Sequence, residues 1–551
     1  MTKTSDWWRG AVIYQVYPRS FMDSNADGVG DLPGITQRLD YIASLGVDAV
    51  WISPIQKSPM KDFGYDVSDY DDVDPIFGTL ADFDALIDRA HALGLKVMID
   101  QVLSHTSDQH PWFIESRSSR DNPRADWYVW ADAQPDGSPP NNWKSVFGGS
   151  SWQWDSRRKQ YYLHNFLAEQ PDLNYHHPQV QQAALASVRF WLDRGLDGFR
   201  FDTTNYFHHD TLLRDNPPLK PTWASHELPA NPYEMQQHLF DKNRPENVAF
   251  FERVRAVLDE YGAVSVGEVG DAEALNLMIE YAAGKRRLHM TYSFAFLGQD
   301  NQAAHVRRHT QAFEAAAAAH NSWPCWTVGN HDAIRVLTRW QGLAAPQDFM
   351  RMTMAMLFSL RGSACWYQGD ELALPEADLA FEDLVDPPGI AFWPAYKGRD
   401  GCRTPMPWNS QQVHAGFSQG HTTRPWLPVL PAHQVRAVDV AESDPAAPLH
   451  FMRRFLAWRK QHPALIRGDV HYLDGCAEVL LLVRHTHSPR GQRLLCAFNF
   501  SADAQTVAWP AGIELRQTLV VPGLPVSQQG TPTPEALALP PYGMYFAVLA
   551  A

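Results

Sequence analysis

Eight short apolar segments, each followed by a helix-like stretch, constrain the fold of this chain more than any other feature. The segments are AVIYQVYP (11–18), DAVWISPI (48–55), KVMIDQVL (96–103), GFRFD (198–202), VSVGEV (264–269), TYSFAF (291–296), WTVGNHD (326–332) and ACWYQGDE (364–371). Amphipathic stretches such as 80–94 and 181–195 end at Gly94 and Gly195, which suit the left-handed residue that follows a helix. Apolar strands that alternate with helices predict a parallel sheet covered on both faces, and eight repeats favour a closed (β/α)8 TIM barrel over an open sheet.

Two long connections and a change of pattern divide the chain into regions. Segment 105–175 carries six tryptophans among Pro, Gly and Asn, and 203–263 carries several prolines before a helix-like VAFFERVRAVLDEYG. Ordered connections of this length are more often functional than plain linkers, so 203–263 is interpreted as a lid. After a helix near 449–462 the pattern becomes all-β. We therefore predict the following organisation: barrel from 1–104 and 176–465, inserted loop-rich subdomain at 105–175, and C-terminal antiparallel β-sandwich at 466–551.

Composition narrows the possible partners. The 551 residues carry a formal net charge of −15, which disfavours nucleic acid and anionic membrane surfaces as partners. The five scattered cysteines form no CxxC pair and favour reduced thiols over a disulfide framework. The first residues lack the apolar core of a signal peptide, and no run of 18 apolar residues occurs. These features predict a cytoplasmic protein that needs no membrane, and they leave open whether it is a monomer or a homodimer.

Acidic residues close several of the strand-like segments. Asp100, Asp202, Glu268 and Asp332 all fall where barrel strands would end. In (β/α)8 barrels the active site lies at the carboxyl ends of the strands. Two carboxyl groups placed there can cleave a glycosidic bond. A single aspartate at a strand end is more often a helix cap or a loop hydrogen bond, but four such positions together favour a catalytic set.

Four motifs in one order carry a family resemblance. DQVLSH (100–105), GFRFD (198–202), GEV (267–269) and GNHD (329–332) together resemble the α-amylase family, glycoside hydrolase family 13. QPDLN at 170–174 and RTPMPW at 403–408 are similar to its oligo-1,6-glucosidase and α-glucosidase branch. The resemblance implies a retaining mechanism in which Asp202 is the nucleophile, Glu268 the general acid/base and Asp332 the transition-state stabiliser. Arg200, on the same strand face as Asp202, is expected to keep that carboxylate ionised, while a partly apolar pocket raises the pKa of Glu268.

The same resemblance indicates which residues hold the sugar. The expected substrate-binding residues are Asp62, Tyr65, His105, Phe147, Phe166, Arg200, Thr203, His331 and Arg399. Asp62 and Arg399 are expected to pair across a blind pocket, which would admit only a chain end. His105 and His331 suit hydrogen bonds to sugar hydroxyls. Phe147 and Phe166 are candidate ring platforms, with ordinary core packing as the alternative.

Thr203, directly after the predicted nucleophile, bears on linkage. In the resembling branch, Thr at this position accompanies α-1,4 preference and Val accompanies α-1,6, so maltose-like substrates are favoured. A covalent glucosyl-enzyme also permits transglucosylation to other hydroxyl acceptors, at an acceptor site shaped by the 203–263 lid and Glu376. The alternatives are an oligo-1,6-glucosidase, a sucrose-hydrolysing or sucrose-isomerising enzyme of the same family, and a non-catalytic amylase-like scaffold. The intact acidic set argues against the scaffold.

The loop DSNADGVGD (23–31) is the candidate metal site. It offers side-chain oxygens from Asp23, Asn25, Asp27 and Asp31 and a carbonyl oxygen from Val29. This spacing resembles the start of an EF-hand loop, but Gly34 replaces the glutamate at position 12 and excludes a true EF-hand. The family resemblance implies a structural Ca²⁺ or Mg²⁺ here, with a metal-free loop of Asx-turns as the alternative. No organic cofactor is expected.

Overall fold

The eight predicted strands form one closed parallel barrel. The computed structural model describes residues 6–219, 229–271, 274–420, 423–487 and 491–550. The barrel strands are Val12–Val16, Ala49–Ile52, Lys96–Gln101, Gly198–Phe201, Val264–Val269, Met290–Ser293, Cys325–Thr327 and Ser363–Tyr367. Neighbouring strands pair in parallel in the order 6-5-4-3-2-1-8-7, and a parallel bridge between Thr291 and Pro324 joins the sixth strand to the seventh. The predicted (β/α)8 barrel is confirmed.

A ring of helices surrounds the barrel. The helices that follow the eight strands are Leu32–Ser44, Leu80–Ala92, Pro178–Asp193, Glu246–Tyr261, Ala274–Tyr281, Ala303–Ala317, Pro346–Leu357 and Pro448–Arg459. Local signals set their ends: Thr79 and Asp82 form a reciprocal capping box at one start. Gly94 and Gly195 have φ of 79° and 90° just past two ends, a backbone conformation that glycine adopts without strain.

Side-chain alternation along the strands decides what fills the barrel. In the third strand Val97 and Ile99 face the helices, whereas Met98 joins the core inside the barrel. Because successive side chains point to opposite faces, Asp100 points inward at the end of that strand. In the fifth strand Val264 and Val266 also belong to the inner core. The lower barrel is therefore apolar, and its carboxyl end is lined by acidic groups.

The connection after the third barrel strand contains its own small sheet. Its strands are Trp130–Ala131, Trp152–Asp155 and Gln160–Leu163, preceded by the short helix Pro111–Ser116. Buried Trp143 and Trp152 stack with ring centroids 5.9 Å apart and belong to a separate apolar cluster. An isolated bridge between His105 and Asp172 pairs the beginning of the connection with its end. The tryptophans thus give this connection an apolar core of its own.

The C-terminal region is all-β, as predicted. A five-stranded antiparallel sheet contains Asp469–Leu473, Val479–His485, Arg493–Asn499, Leu515–Thr518 and Met544–Leu549. A three-stranded sheet contains Gln505–Ala508, Thr531–Pro532 and Ala536–Leu539. Val507 of the smaller sheet and Leu481 of the larger sheet lie in one buried cluster. Two sheets packed on a shared core form the predicted C-terminal β domain.

Three further observations concern the chain as a whole. All five cysteines are free thiols, and Cys325 and Cys365 lie in the barrel core with their sulfurs 3.5 Å apart. In the described ranges, no helix combines the length and the apolar character needed to cross a bilayer. The predicted lid 203–263 includes residues 220–228, among them Pro221, which lie outside the described residues; the helix predicted within it is Glu246–Tyr261.

Candidate active site

A cavity of about 210 Å³ opens at the carboxyl end of the barrel. Fifteen residues line it: Asp62, Tyr65, His105, Val146, Phe147, Phe166, Gln170, Asp202, Thr203, Tyr206, Glu268, Gly270, Phe294, Asp332 and Arg399. All three predicted catalytic carboxyl groups are among them. Seven of the nine predicted substrate-binding residues are present as well. The sequence pattern therefore located this pocket from positions more than 300 residues apart in the chain.

Arg200 organises the floor of the pocket. Its guanidinium is fully buried and contacts three carboxylates: Nη1 lies 2.5 Å from Asp100 and 2.6 Å from Asp202, and Nη2 lies 2.7 Å from Glu268. We call these four residues the floor cluster. Because Asp202 and Glu268 contact the two terminal nitrogens of one planar group, their carboxyl groups lie side by side.

The two pocket-facing carboxyl groups of the floor cluster differ in proton affinity. Burial raises the pKa of Asp202 to about 6, although the charge of Arg200 opposes the rise. Burial raises the pKa of Glu268 further, to about 8, and the negative charge of Asp202 contributes. At pH 7 Asp202 is therefore mainly ionised and Glu268 mainly protonated. The sequence led us to expect a raised pKa for Glu268 and an Asp202 kept ionised by Arg200; burial also raises the pKa of Asp202, against the charge of Arg200.

Aromatic side chains hold the floor cluster in place. The Trp51 indole donates to Asp100 at 2.8 Å, and the Arg200 guanidinium donates to the Tyr292 hydroxyl at 3.1 Å. The Tyr292 hydroxyl in turn donates to Glu268 at 3.3 Å. The cluster thus has hydrogen-bond partners from several neighbouring strands, which fixes its geometry before a substrate arrives.

The loop that carries Asp62 is folded by a second aspartate. Asp66 accepts hydrogen bonds from the backbone of Lys61 and Asp62, both at 2.9 Å, and from the Ser58 hydroxyl. Gly64 has a φ of 109°, and a β-carbon there would lie 3.1 Å from Pro54. These constraints turn the chain sharply and direct Asp62 and Tyr65 into the pocket.

Two arginines form the end wall of the pocket. Arg399 contacts Asp62 at 2.8 Å, Asp332 at 3.2 Å and Asp386 at 2.7 Å. Arg403 donates to Asp332 at 2.9 Å and to the His331 carbonyl at 2.7 Å. We call Asp62, Asp332, Asp386, Arg399 and Arg403 the wall cluster. The predicted contact between Asp62 and Arg399 is present, and it closes one end of the pocket.

The wall cluster keeps Asp332 charged. Burial opposes ionisation of this carboxyl group, but the positive charges of the neighbouring Arg399 and Arg403 outweigh it and hold its pKa far below its usual range. Burial lowers the pKa of His331 well below its usual value, so the imidazole is neutral at pH 7. The His331 ring lies 2.6 Å from the Tyr65 hydroxyl and 2.8 Å from the Gln15 amide. Asp332 is therefore a permanent negative charge facing the cavity.

Thr203 joins the floor of the pocket to its side. Its backbone N–H donates to Glu268 at 3.2 Å, and its hydroxyl lies 2.9 Å from that of Ser104. The Ser104 hydroxyl lies 2.9 Å from His105 Nδ1, while His105 Nε2 lies 3.0 Å from the Tyr65 carbonyl. Thr203 has a φ of 43°, which is unusual for a β-branched residue and marks strain at a functional position.

Aromatic rings cover the side of the pocket. Phe147 and Phe166 pack edge to face with centroids 5.7 Å apart, and both side chains are partly exposed rather than enclosed in the core. Phe166 also lies 5.3 Å from His105 and 5.4 Å from Tyr206. Both phenylalanines line the cavity, where a sugar ring could pack on them.

Some expected residues lie elsewhere. Arg200 and His331 are fully buried behind the pocket lining, where they contact the predicted catalytic carboxylates instead of the cavity. Glu376 does not line the pocket; its carboxylate accepts the backbone N–H of Arg335 at 2.7 Å.

Several residues of the site, among them Arg403 of the wall cluster, were not predicted as site residues from the sequence. Asp386 completes the wall cluster, while Tyr206 and Phe294 line the cavity. Asp386 lies 13 positions before Arg399, and nothing in the intervening sequence marks the pair as partners. An acidic residue before two prolines was the available signal, and it indicates a helix start, which is also what the structure shows at Pro387–Ala391.

The candidate metal loop is held by its own side chains. Asp23 accepts three backbone N–H groups, and Asp31 caps helix Leu32–Ser44 through the N–H of Gly34. Asp23 and Asp31 are buried, and neither has a basic side chain within 4 Å among the described residues. Buried carboxylates without a cationic partner and an all-oxygen donor set suit Ca²⁺ or Mg²⁺. However, the carboxyl oxygens of Asp23, Asp27 and Asp31 do not all lie within 4.8 Å of one another.

Comparison with known proteins agrees with this geometry. Residues 15–468 match the Alpha-amylase family, whose description is alpha amylase, catalytic domain. The chain is 56% identical to a "Probable alpha-glucosidase" of Rhizobium meliloti (strain 1021) over 514 residues, which cover 92% of this chain and 91% of that protein. It is 34% identical to an oligo-1,6-glucosidase of Parageobacillus thermoglucosidasius over 90% of each chain. The crystal structure of an alpha-glucosyl transfer enzyme is similar with a TM-score of 0.94, 55% identity and 99% coverage of both chains.

Proposed function

This chain belongs to the alpha-amylase family of glycoside hydrolases, and we propose that it is a retaining, exo-acting α-glucosidase for short α-1,4-linked substrates such as maltose. The observation that carries the proposal is the pairing of Asp202 and Glu268 on one guanidinium with pKa values of about 6 and about 8. One carboxylate ready to attack and one carboxylic acid ready to donate a proton are what glycosidic cleavage requires.

In the first step the Asp202 carboxylate attacks the anomeric carbon of the terminal glucose. The bond from that carbon to the leaving oxygen breaks, and Glu268 donates its proton to that oxygen. The close spacing of the two carboxyl groups on Arg200 supports a direct attack, because an inverting enzyme leaves room for a water molecule between them. The product is a glucosyl ester of Asp202 and an ionised Glu268.

In the second step a hydroxyl group resolves the ester. Glu268 accepts the proton from water or from another acceptor as the new bond to the anomeric carbon forms, and Asp202 leaves as a carboxylate. Asp332 faces the same cavity as a fixed negative charge, which stabilises the positive charge that develops on the sugar ring in both steps. The identity of the acceptor decides between hydrolysis and transfer.

The wall cluster supports exo action. Asp62 and Arg399 meet at 2.8 Å across the end of the cavity, and both line it. A sugar chain cannot continue past this contact, so only a terminal glucose can reach the floor cluster. The Asp62 carboxylate and the Arg399 guanidinium are charged groups that form strong hydrogen bonds with hydroxyl groups of that terminal residue.

Thr203 supports α-1,4 selectivity by its position. It lines the cavity next to both reacting carboxyl groups, and its hydroxyl is held by Ser104. The leaving sugar must pass over this side chain, so the shape and polarity of residue 203 affect which linkage fits. The similarity to a glucosyl transfer enzyme over 99% of the chain supports transglucosylation as a second outcome of the same intermediate.

One experiment tests reaction and linkage together. Purified protein is followed by proton NMR in an equimolar mixture of maltose and isomaltose. We expect maltose to be consumed first, with α-glucose released before mutarotation, and new glucosidic signals where transfer occurs. Preferential loss of isomaltose would overturn the α-1,4 assignment, and initial release of β-glucose would overturn retention. If neither disaccharide is consumed, sucrose is the next substrate, because a related sucrose-converting enzyme is the alternative.

We further propose a structural Ca²⁺ or Mg²⁺ in the 23–31 loop. Asp23, Asn25, Asp27, Asp31 and the Val29 carbonyl would hold it, distant in sequence from every catalytic residue. Elemental analysis after dialysis, with and without chelator, measures occupancy. A bound ion stabilises the folded state in proportion to the logarithm of its concentration above Kd, so we expect chelation to lower the melting temperature. An unchanged melting temperature and no bound metal would contradict this assignment.

A further inference from the structure

Two histidines and an aspartate meet at one end of the larger sheet of the C-terminal domain. Asp469 begins the strand Asp469–Leu473, and His485 ends the neighbouring strand Val479–His485. These two residues are direct antiparallel partners, and His487 follows two positions after His485. Side chains that are two residues apart, or directly opposite on paired strands, lie on the same face of a sheet. We call Asp469, His485 and His487 the histidine cluster.

The three side chains of the histidine cluster lie within reach of a single ion. One ring nitrogen from each histidine and one carboxylate oxygen from Asp469 all lie within 4.8 Å of one another. Donor atoms that bind a tetrahedral Zn²⁺ at about 2.1 Å lie about 3.3 Å from one another. Because the His487 side chain is 79% exposed, rotation about its side-chain bonds can close this difference without disturbing the core.

The donor atoms of the histidine cluster are available to a metal. Among the described residues, the His485 ring has no hydrogen-bond partner; its centroid lies 5.6 Å from that of the His487 ring. His487 Nε2 contacts Oδ2 of Asp469, which places two potential ligand atoms side by side. An ion pair this exposed contributes little to stability, so its replacement by bonds to a metal costs the fold little.

The second oxygen of Asp469 is held by the barrel. Arg361 Nε lies 3.4 Å from Oδ1 of Asp469, and Arg361 Nη1 lies 3.1 Å from Glu314. The Arg361 guanidinium also lies 4.6 Å from the centroid of the Trp323 ring. Groups that orient a ligand in this way raise metal affinity, because the ligand is in place before the metal arrives. Arg361 lies two residues before the eighth barrel strand, Ser363–Tyr367, so an ion on Asp469 would also connect the C-terminal domain to the barrel.

We propose that the histidine cluster binds Zn²⁺ through one nitrogen of each histidine and one carboxylate oxygen of Asp469, with water in the fourth position. Two imidazoles and a carboxylate are typical zinc ligands, whereas Ca²⁺ and Mg²⁺ prefer oxygen donors alone. The cluster shares no residue with the pocket or with the 23–31 loop. Zinc binding is therefore independent of the proposed function and of the metal proposed for that loop, and the bound ion stabilises the C-terminal domain.

Zinc binding is measured on the untagged full chain, because a polyhistidine tag would itself bind zinc. The protein is treated with a chelator, dialysed into buffer whose only divalent cation is excess Ca²⁺, and titrated with Zn²⁺ in a calorimeter. Ca²⁺ fills oxygen sites and competes poorly for imidazole nitrogen. We expect saturation at one Zn²⁺ per chain. Co²⁺ is the spectroscopic probe, and in a tetrahedral site it should give visible absorption that octahedral Co²⁺ in buffer lacks.

Variants locate the bound ion. His485→Ala should weaken Zn²⁺ binding at least about a hundredfold, because loss of a group that only orients a ligand already weakens binding about 10- to 100-fold. His487→Ala repeats the test at a more exposed position, where truncation leaves the fold intact. Arg361→Gln, which acts through Asp469, should weaken binding about tenfold. His471→Ala is the matched control, because His471 is an exposed histidine on the same strand as Asp469 but outside the cluster, and it should bind Zn²⁺ like the wild type.

Melting temperatures separate this site from weak binding elsewhere on the surface. Zn²⁺ should raise the melting temperature of the wild type and of His471→Ala, with a rise that follows the logarithm of its concentration above Kd, but not that of His485→Ala or His487→Ala. The assignment is overturned if the wild type binds no Zn²⁺. It is also overturned if His485→Ala and His487→Ala bind Zn²⁺ as tightly as the wild type, because the ion would then be adventitious.

Discussion

The floor cluster and the wall cluster of the pocket are both built on buried arginines, yet the pKa values of their carboxyl groups differ. The floor cluster has one arginine for three carboxyl groups, Asp100, Asp202 and Glu268. The wall cluster has two arginines for three carboxyl groups. In the floor, all three carboxyl groups have raised pKa values, because burial exceeds what one cation can offset. In the wall, burial is outweighed at Asp332 and Asp386, whose pKa values are lowered.

This difference in pKa suits the floor cluster to proton transfer and the wall cluster to binding of the sugar. A cluster with too few cations binds a proton near neutral pH, and Glu268 can therefore serve as acid and then base. In a cluster with more cations, Asp332 and Asp386 stay charged, so this cluster would bind a sugar end in the same way across a wide range of pH. Asp62 is intermediate: burial raises its pKa despite Arg399, which is consistent with its position at the edge of the wall cluster.

Removing the proposed nucleophile should have the largest effect. Asp202→Asn abolishes formation of the glucosyl ester, and we expect kcat for maltose to fall on the order of 10⁴-fold or more. Initial-rate assays measure the loss, and circular dichroism checks the fold. Asp100→Asn is the matched control, because Asp100 contacts the same guanidinium without lining the pocket. Equal losses in both variants would mean that charge around Arg200, and not attack by Asp202, limits the rate.

Removing the proton donor of the floor cluster should have the second-largest effect. Glu268→Gln should lower kcat/KM for maltose by about 10²–10⁴-fold, the usual contribution of a general acid. With α-glucosyl fluoride, whose leaving group needs no proton, the loss should be much smaller, and the decline of activity above pH 8 should disappear. Stopped-flow or electrode assays with both substrates give the comparison. A similar loss with both substrates would assign another role to Glu268.

Weakening the wall cluster should lower activity less and leave the pH dependence of kcat/KM unchanged. Asp62→Asn removes a charged hydrogen bond to Arg399, so we expect kcat/KM to fall about ten- to a hundredfold, mainly through a higher KM. The pH limits of kcat/KM should stay in place because the floor cluster is intact. Asp72→Asn, which alters an exposed pair with Lys57 near the same loop, is the control. A shifted pH profile in Asp62→Asn would show that the two clusters are not independent.

A substitution at residue 203, which should alter linkage preference, should have the smallest effect. Thr203→Val keeps the β-branched shape at this strained position but removes the hydroxyl that contacts Ser104. We expect the ratio of maltose to isomaltose hydrolysis to fall by a factor of about ten or less, since one pocket group contributes about 1–3 kcal/mol to discrimination. Competition assays monitored by NMR measure this ratio. An unchanged ratio would remove residue 203 from the basis of linkage selection.

The sequence predicts the floor better than the wall for a physical reason. Strand residues have a period of two, so the inward position of Asp100, Arg200 and Glu268 follows from the register of apolar neighbours. The wall is built from irregular segments around Asp62, Asp386 and Arg399, where no period applies. Asp62 and Arg399 were predicted from the family resemblance, whereas Asp386 was not predicted.

The groove on the open side of the pocket could be predicted from the sequence only in part, because the 203–263 lid was expected to shape an acceptor site but the contribution of 388–399 was not expected. It forms where segments 230–234 and 388–399 meet, more than 150 residues apart in the chain. Neither segment has helical or strand periodicity that would orient its aromatic residues, and exposed aromatics in loops have no sequence signature of their own. The barrel, by contrast, was predicted strand by strand, because buried parallel strands require continuous apolar runs.

The pH dependence of kcat/KM for maltose tests the floor cluster most directly. Activity should rise as pH passes about 6, where Asp202 loses its proton, and fall as pH passes about 8, where Glu268 loses its proton. The account predicts a bell-shaped profile with its maximum near pH 7. A profile that stays flat between pH 5 and pH 9, or one limited only on the acid side, would contradict the claim that one arginine among three carboxyl groups sets the catalytic proton.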